Sequence, residues 1–150
     1  MYDHLTDDQI EDAVFDQYRE TASKEIRDVP EPERTIMAVY ASLGVICNGG
    51  FAYFFENDFP GYKPYDVIIQ SYNNLGCHKH AKAIEKMLSL FPKSSPHENV
   101  EERRQFMESS FYLNPRTEDR PKCIGEAENL FFDEEKNIYT KCIEYLKNHT

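Results

Sequence analysis

Residues 48–57 read Asn-Gly-Gly-Phe-Ala-Tyr-Phe-Phe-Glu-Asn, and no other stretch restricts the fold of this chain as much. Gly49 and Gly50, two of the six glycines, stand side by side, and four aromatic residues follow within five positions. Paired glycines admit positive φ without a Cβ clash, which suits the end of a helix. Phe51, Phe54 and Phe55 recur at steps of three and four, so they can bury one helical face together. Asn48 leads into this corner and Asn57 closes it, ahead of the Pro60-Gly61 loop. The pattern predicts a turn between two helices, locked by aromatic packing. It names no reaction.

Helical periods fill much of the remaining chain. Thr6-Asp7-Asp8-Gln9 has capping-box spacing, and Ile10, Val14 and Tyr18 follow at steps of four. This first helix is expected to run to about Arg27 and to stop before Pro30. A second begins near Glu33 and turns Ile36, Val39, Tyr40, Leu43 and Cys47 inward. A third is the aromatic corner itself. Pro64 opens a fourth, which carries Tyr65, Ile68, Ile69 and Tyr72 and ends at Gly76. The fifth presents Ala81, Ile84, Leu88 and Phe91 before Pro92. Ser95-Pro96-His97-Glu98 offers another capping box for a sixth, with Val100, Phe106 and Met107 on its apolar side. Residues 112–123 read as a loop, and a last helix from near Asp133 buries Ile138, Cys142, Ile143 and Leu146. No segment alternates as a strand should. The expected class is all-α, a bundle of about six to seven helices in one domain over 1–150.

Composition then excludes several classes of function. The longest apolar-rich run, Ile36 to Cys47, is shorter than the roughly 20 residues a bilayer span needs. The acidic start Met1-Tyr2-Asp3-His4 is unlike a secretion signal, so a cytoplasmic location is expected. Cys47, Cys77, Cys123 and Cys142 form no Cys-x-x-Cys pair and are expected as small buried hydrophobes. The formal net charge is −10. Residues 1–35 hold eleven acids and four bases, residues 36–100 five of each, and residues 101–150 eleven and eight. Acidity therefore gathers at the N-terminal arm. Such a balance repels nucleic acid and anionic membranes and favours a basic partner.

Asp8, Asp12, Asp16 and Glu20 fall at successive steps of four on the first helix, with Asp7 and Glu11 beside them. A two-residue offset is about 200° of helical rotation, so this ladder lies opposite Ile10, Val14 and Tyr18. Like charges at that spacing destabilise a helix by about 0.2–0.5 kcal/mol per pair. The helix dipole favours acids in the first turn, which accounts for Asp7 and Asp8 but not for Asp16 and Glu20. Two readings stand: a solvated face of an acidic protein, or carboxylates placed where a basic protein expects phosphates. Side chains one turn apart are about 5–6 Å apart. That is comparable in density to a DNA strand, with one charge per about 3.4 Å of axis.

Cys77, His78 and His80 form the one cluster of soft ligands. On a helix Cys77 and His80 share a face and His78 points away. A catalytic zinc needs three protein ligands and a structural zinc four, so no metal and no cofactor is expected. Nothing marks an oxyanion hole or an orienting acid for a Cys77–His80 nucleophile. Gly44 to Gly50 lacks the Lys-Ser/Thr of a phosphate-binding loop. A non-enzymatic binding protein is expected.

Around Asn48-Gly49-Gly50-Phe51, Phe54-Phe55, Asn57 and Gly61 the chain resembles a family of small bacterial domains of unknown function. Its named member is a DNA-mimic protein. The likeness continues through Leu75-Gly76 and Leu90-Phe91-Pro92, is strongest over 36–92, and echoes around Tyr139 to Leu146. The family pattern has glutamine where Tyr53 stands and a small residue where Cys77 stands. The resemblance implies an all-helical fold, homodimerisation and, by analogy with the named member, acidic surface that imitates phosphate before a DNA-binding protein. The carboxylates to carry that role here are Asp7, Asp8, Glu11, Asp12, Asp16 and Glu20. An immunity- or scaffold-type protein, binding a toxin or enzyme by shape and aromatic contacts, is the alternative.

Overall fold

The first helix starts where its capping box sets it. The Thr6 backbone N–H donates to Gln9 Oε1 at 3.0 Å, and the Gln9 N–H donates to Thr6 Oγ1 at 3.3 Å. The computed structural model describes residues 4–21, 25–58, 65–110, 122–132 and 138–149. Among these lie seven helices and no strand: α1 Asp7–Thr21, α2 Glu33–Glu56, α3 Tyr65–Asn74, α4 His78–Leu88, α5 Val100–Ser110, α6 Lys122–Phe132 and α7 Ile138–Asn148. Two short 3-10 turns, Ile26–Asp28 and Pro92–Ser94, join them. The fold is all-α.

α2 is the central element and packs against α1, α3, α5, α6 and α7, while α4 lies against α3 and α6. By length and composition it passes for a membrane span, with 24 residues and a mean hydropathy of 1.5. Half of that apolar window is buried inside the protein. Ile36, Val39, Leu43 and Ile46 enter the core. Cys47, expected inward, is exposed, because the inward position at that turn belongs to Ile46. Cys77 and Cys142 are buried as expected, and the Cys123 side chain lies outside the described residues.

The glycine corner breaks α2 at Gly50 into two helical pieces, the turn between helices that the pattern predicts. Gly50 adopts φ 74 and ψ −172, a conformation open almost only to glycine, and the helix resumes directly in a new direction. Gly49 stays helical for another reason. A Cβ there would stand 2.5 Å from Tyr53 Cβ. Beyond the break Phe51, Phe54 and Phe55 are fully buried. Phe54 meets Phe55 edge-on at 4.9 Å, and Phe55 lies 5.1 Å from Phe91. Asn57 Nδ2 donates to the Tyr53 carbonyl at 3.1 Å, closing the corner as its sequence suggests. Asn48 is exposed and takes no part in this packing.

α3 ends on Gly76 at φ 75. The Cys77 N–H reaches the Tyr72 carbonyl at 2.8 Å and the Gly76 N–H the Asn73 carbonyl at 2.9 Å, a complete Schellman closure.

Three features differ from the periodic reading. α1 ends at Thr21, and Ile26 is buried from the separate turn at Ile26–Asp28 instead of extending the helix to Arg27. α5 begins at Val100, where Asn99 Oδ1 accepts from the Glu102 N–H at 3.1 Å, so Ser95 caps nothing. The cause is Arg103, whose guanidinium takes the carbonyls of His97 and Glu98 and holds that segment out of a helix. α6 has no counterpart in the periodic reading, although Ile124, Ala127 and Phe131 recur at steps of three and four and are buried. α7 is described from Ile138, and the expected start near Asp133 lies outside the described residues.

Burial also sets an alkaline limit on the fold. It pushes the Cys142 thiol from 9.0 to about 12 and the Tyr65 phenol from 10.0 to about 12. The unfolded chain releases these protons first, so their stabilisation is complete below about pH 9 and is lost as pH rises towards 12. The loss approaches about 1.4 kcal/mol per group and pH unit. Melting temperatures taken from about pH 8 to 11 are expected to fall, with a shallower decline above pH 10 in Tyr65→Phe.

Candidate functional site

The acidic residues of α1 divide into an open row and a tethered edge. Ile10 is fully buried and Ala13 packs on the core, which fixes the inner side of the helix. The side chains of Val14, Tyr18 and Glu20 lie outside the described residues. Asp8, Asp12 and Asp16 are exposed along the outer side. Asp16 stands 3.7 Å from Arg19, a loose and solvated pair. Asp8 and Asp12 make no ion pair among the described residues. Asp7 is held by Lys147 of α7 at 2.9 Å, so part of its charge is already met within the protein. Glu11 is half-buried on the side of Tyr40, whose phenol is driven up first by burial and then by Cys142 and Glu11. Of the six acids named from sequence, three therefore form the open row.

One turn of α-helix separates each member from the next, a rise of about 6 Å per four residues. Among the described residues Arg19 offsets the row only at Asp16, and the neighbouring repulsions work against the helix. α1 is kept in place by its packing on α2 and α7 and by the Asp7–Lys147 bridge. What such a row offers chemically is a regular line of acceptors for Lys and Arg. It contains no acid–base pair, nucleophile or cleft.

The soft-ligand cluster does not assemble. His80 is fully buried, stacked on Tyr72 at 5.5 Å and 5° and edge-on to Phe131 at 4.8 Å. Tyr72 in turn shares a 2.9 Å hydrogen bond with Ser42 Oγ. Cys77 is buried beside them, while His78 is exposed and meets Asn73 Oδ1 at 2.8 Å. No group of three His, Cys, Asp or Glu could hold a metal among the described residues. The sharing of a face by Cys77 and His80 was legible in the spacing. It serves the core.

The decapeptide proves to be the hub of that core. Phe51 meets Phe131 of α6 at 5.4 Å, and Phe131 carries the contact on to Tyr72 and His80. Its far end is held by two arginines absent from the sequence-based reading. Arg103, fully buried, donates to the carbonyls of Phe55 and Asn57 and to Asp58, as well as to His97 and Glu98. Arg104 donates to the Glu56 carbonyl and to Asn57 Oδ1. Two cations thus cap the negative end of α2.

Neither the comparison with curated proteins nor that with solved structures finds a match. A family model described as DMP19-like protein matches residues 27–149, which takes in the corner, its arginine cap and α2 to α7 but leaves out α1. The chain belongs to the DMP19-like protein family.

Proposed function

We propose that this chain is a non-enzymatic DNA mimic that occupies the DNA-binding surface of a basic partner, such as a transcription regulator. The supporting observation is the exposed row Asp8, Asp12 and Asp16 on a helix that gains nothing from their repulsion. Lys and Arg that normally meet phosphates would pair with these carboxylates and leave the DNA site occluded. Membership of the DMP19-like family is compatible with this role. Because α1 lies before the matched residues, the acids themselves are an argument of this chain alone. The reading places the protein in the cytoplasm and includes a homodimer, which sedimentation tests.

The decisive variant is Asp8→Asn with Asp12→Asn and Asp16→Asn. Partner affinity is expected to fall about tenfold or more. Its stability should change little, because relief of the two repulsive pairs is offset by the loss of Asp8 at the helix N-terminus and of the Asp16–Arg19 pair. Wild-type binding should weaken steeply between about 0.1 and 1 M salt. A partner that stays bound at high salt and to the triple variant would sink the mechanism. It would instead favour a toxin- or enzyme-binding protein that uses the exposed Tyr53, Phe132 and Tyr139, which are 39%, 38% and 47% accessible.

A further inference from the structure

Away from the outer row of α1, a groove of about 550 Å³ opens between the Ile26–Asp28 turn, the start of α3, the end of α4 and the 94–98 turn. Its size lies within the usual range of ligand clefts, about 300–1,000 Å³. The floor is apolar, made by Ile69 with the buried Leu88 and Pro96. Among the described residues the rim carries the exposed Glu25, Asp66 and Glu98 against one base, Arg27. Arg27 is already engaged by Asp66 through hydrogen bonds of 2.9 and 3.1 Å.

The walls are set before any ligand arrives. Arg103 Nη1 holds the carbonyls of His97 and Glu98 at 2.8 and 3.5 Å, which fixes the backbone bearing the Glu98 carboxylate. Backbone bonds from Ser94 to Phe91 and from Ser95 to Pro92 hold the other wall. Preformed walls lower the ordering cost of binding. An apolar trough beneath a net-negative rim fits an alkyl chain that ends in a cation. Its methylenes leave water on Ile69, Leu88 and Pro96 while the head stays hydrated among carboxylates. An anionic group would meet the carboxylates of Glu25 and Glu98 there, with Asp66 already paired to Arg27.

We infer that this groove receives an arginine or lysine side chain of a protein partner. The inference rests on the reading that the partner is basic, and it adds an anchor outside the row of α1. It is tested by titrating the full-length ¹⁵N-labelled chain with Nα-acetyl-arginine-N-methylamide. Saturable shifts are expected at the amides of Glu25, Asp66, Ile69 and Glu98. The apparent affinity should fall about five- to tenfold in Glu25→Gln with Glu98→Gln, and should be unchanged in Asp12→Asn with Asp16→Asn. Shifts confined to α1, equal binding of the uncharged citrulline analogue, or indifference to the glutamine variants would each overturn it. So would tighter binding of free agmatine than of the blocked arginine, which would make the site one for a small cation. The function reading fails separately: it falls if the partner ignores the α1 variant, whatever the groove does.

Discussion

Replacing Arg103 by methionine is expected to destabilise the protein by about 3–5 kcal/mol, near the top of the range for single substitutions. The side chain is fully buried, and its five N–H groups meet five acceptors. Nε donates to the Phe55 carbonyl, Nη1 to those of His97 and Glu98, and Nη2 to the Asn57 carbonyl and Asp58. Methionine fills much of the space but donates nothing, so the Phe55 and Asn57 carbonyls at the end of α2 and those of His97 and Glu98 lose this partner at once. For a domain of this size the melting temperature should drop by about 6–20 °C. Arg103→Lys should restore less than half, since an ammonium has three donors and no planar fork. Asp58→Asn should cost far less, because that carboxylate is half exposed and its partner keeps four other acceptors. Denaturant unfolding of the three variants decides the matter; a loss under about 1 kcal/mol for Arg103→Met would refute the capping account.

The second large effect is expected at the glycine pair, and its two members should fail differently. Gly50→Ala forces a Cβ into a backbone region that only glycine occupies freely, at a cost of about 1–3 kcal/mol. No change in a neighbouring side chain can relieve that strain. Gly49→Ala instead sets a Cβ 2.5 Å from Tyr53 Cβ, a contact neither residue can rotate away from. Its penalty should shrink in a Tyr53→Gly background, with a coupling of about 1–3 kcal/mol in the double-mutant cycle. The penalty of Gly50→Ala should be the same in both backgrounds. If Tyr53→Gly rescued Gly50→Ala as well, the distinction between strain and crowding would be wrong.

Local chemistry made much of the fold readable. The Thr6–Gln9 box, the glycine stop at Gly76 and the aromatic steps after Gly50 each act within about six residues, and each forms as the spacing implies. Where a distant group intervenes, local reading fails. Ser95 lies in good capping register, yet Arg103 draws the carbonyls of His97 and Glu98 away from a helix, and Asn99 caps α5 instead. Cys47 and Ile46 are neighbours that a helical period alone ranks together, and packing on α2 chose Ile46.

The site shows the same division. That Asp8, Asp12 and Asp16 share one side of a helix follows from 3.6 residues per turn, and sequence suffices for it. That Asp7 meets Lys147, and that Glu11 is turned towards Tyr40, depends on α7 and α2 lying beside α1. The groove rim of Glu25, Asp66 and Glu98 joins three distant segments and has no local signal. The sequence by itself determined an all-helical chain with a glycine corner and a row of carboxylates, because caps, turns and helical periods are short-range. Only the tertiary structure decided which acids remain open, which arginine sealed the corner and where a groove formed, because burial and electrostatic neighbours are properties of packed elements.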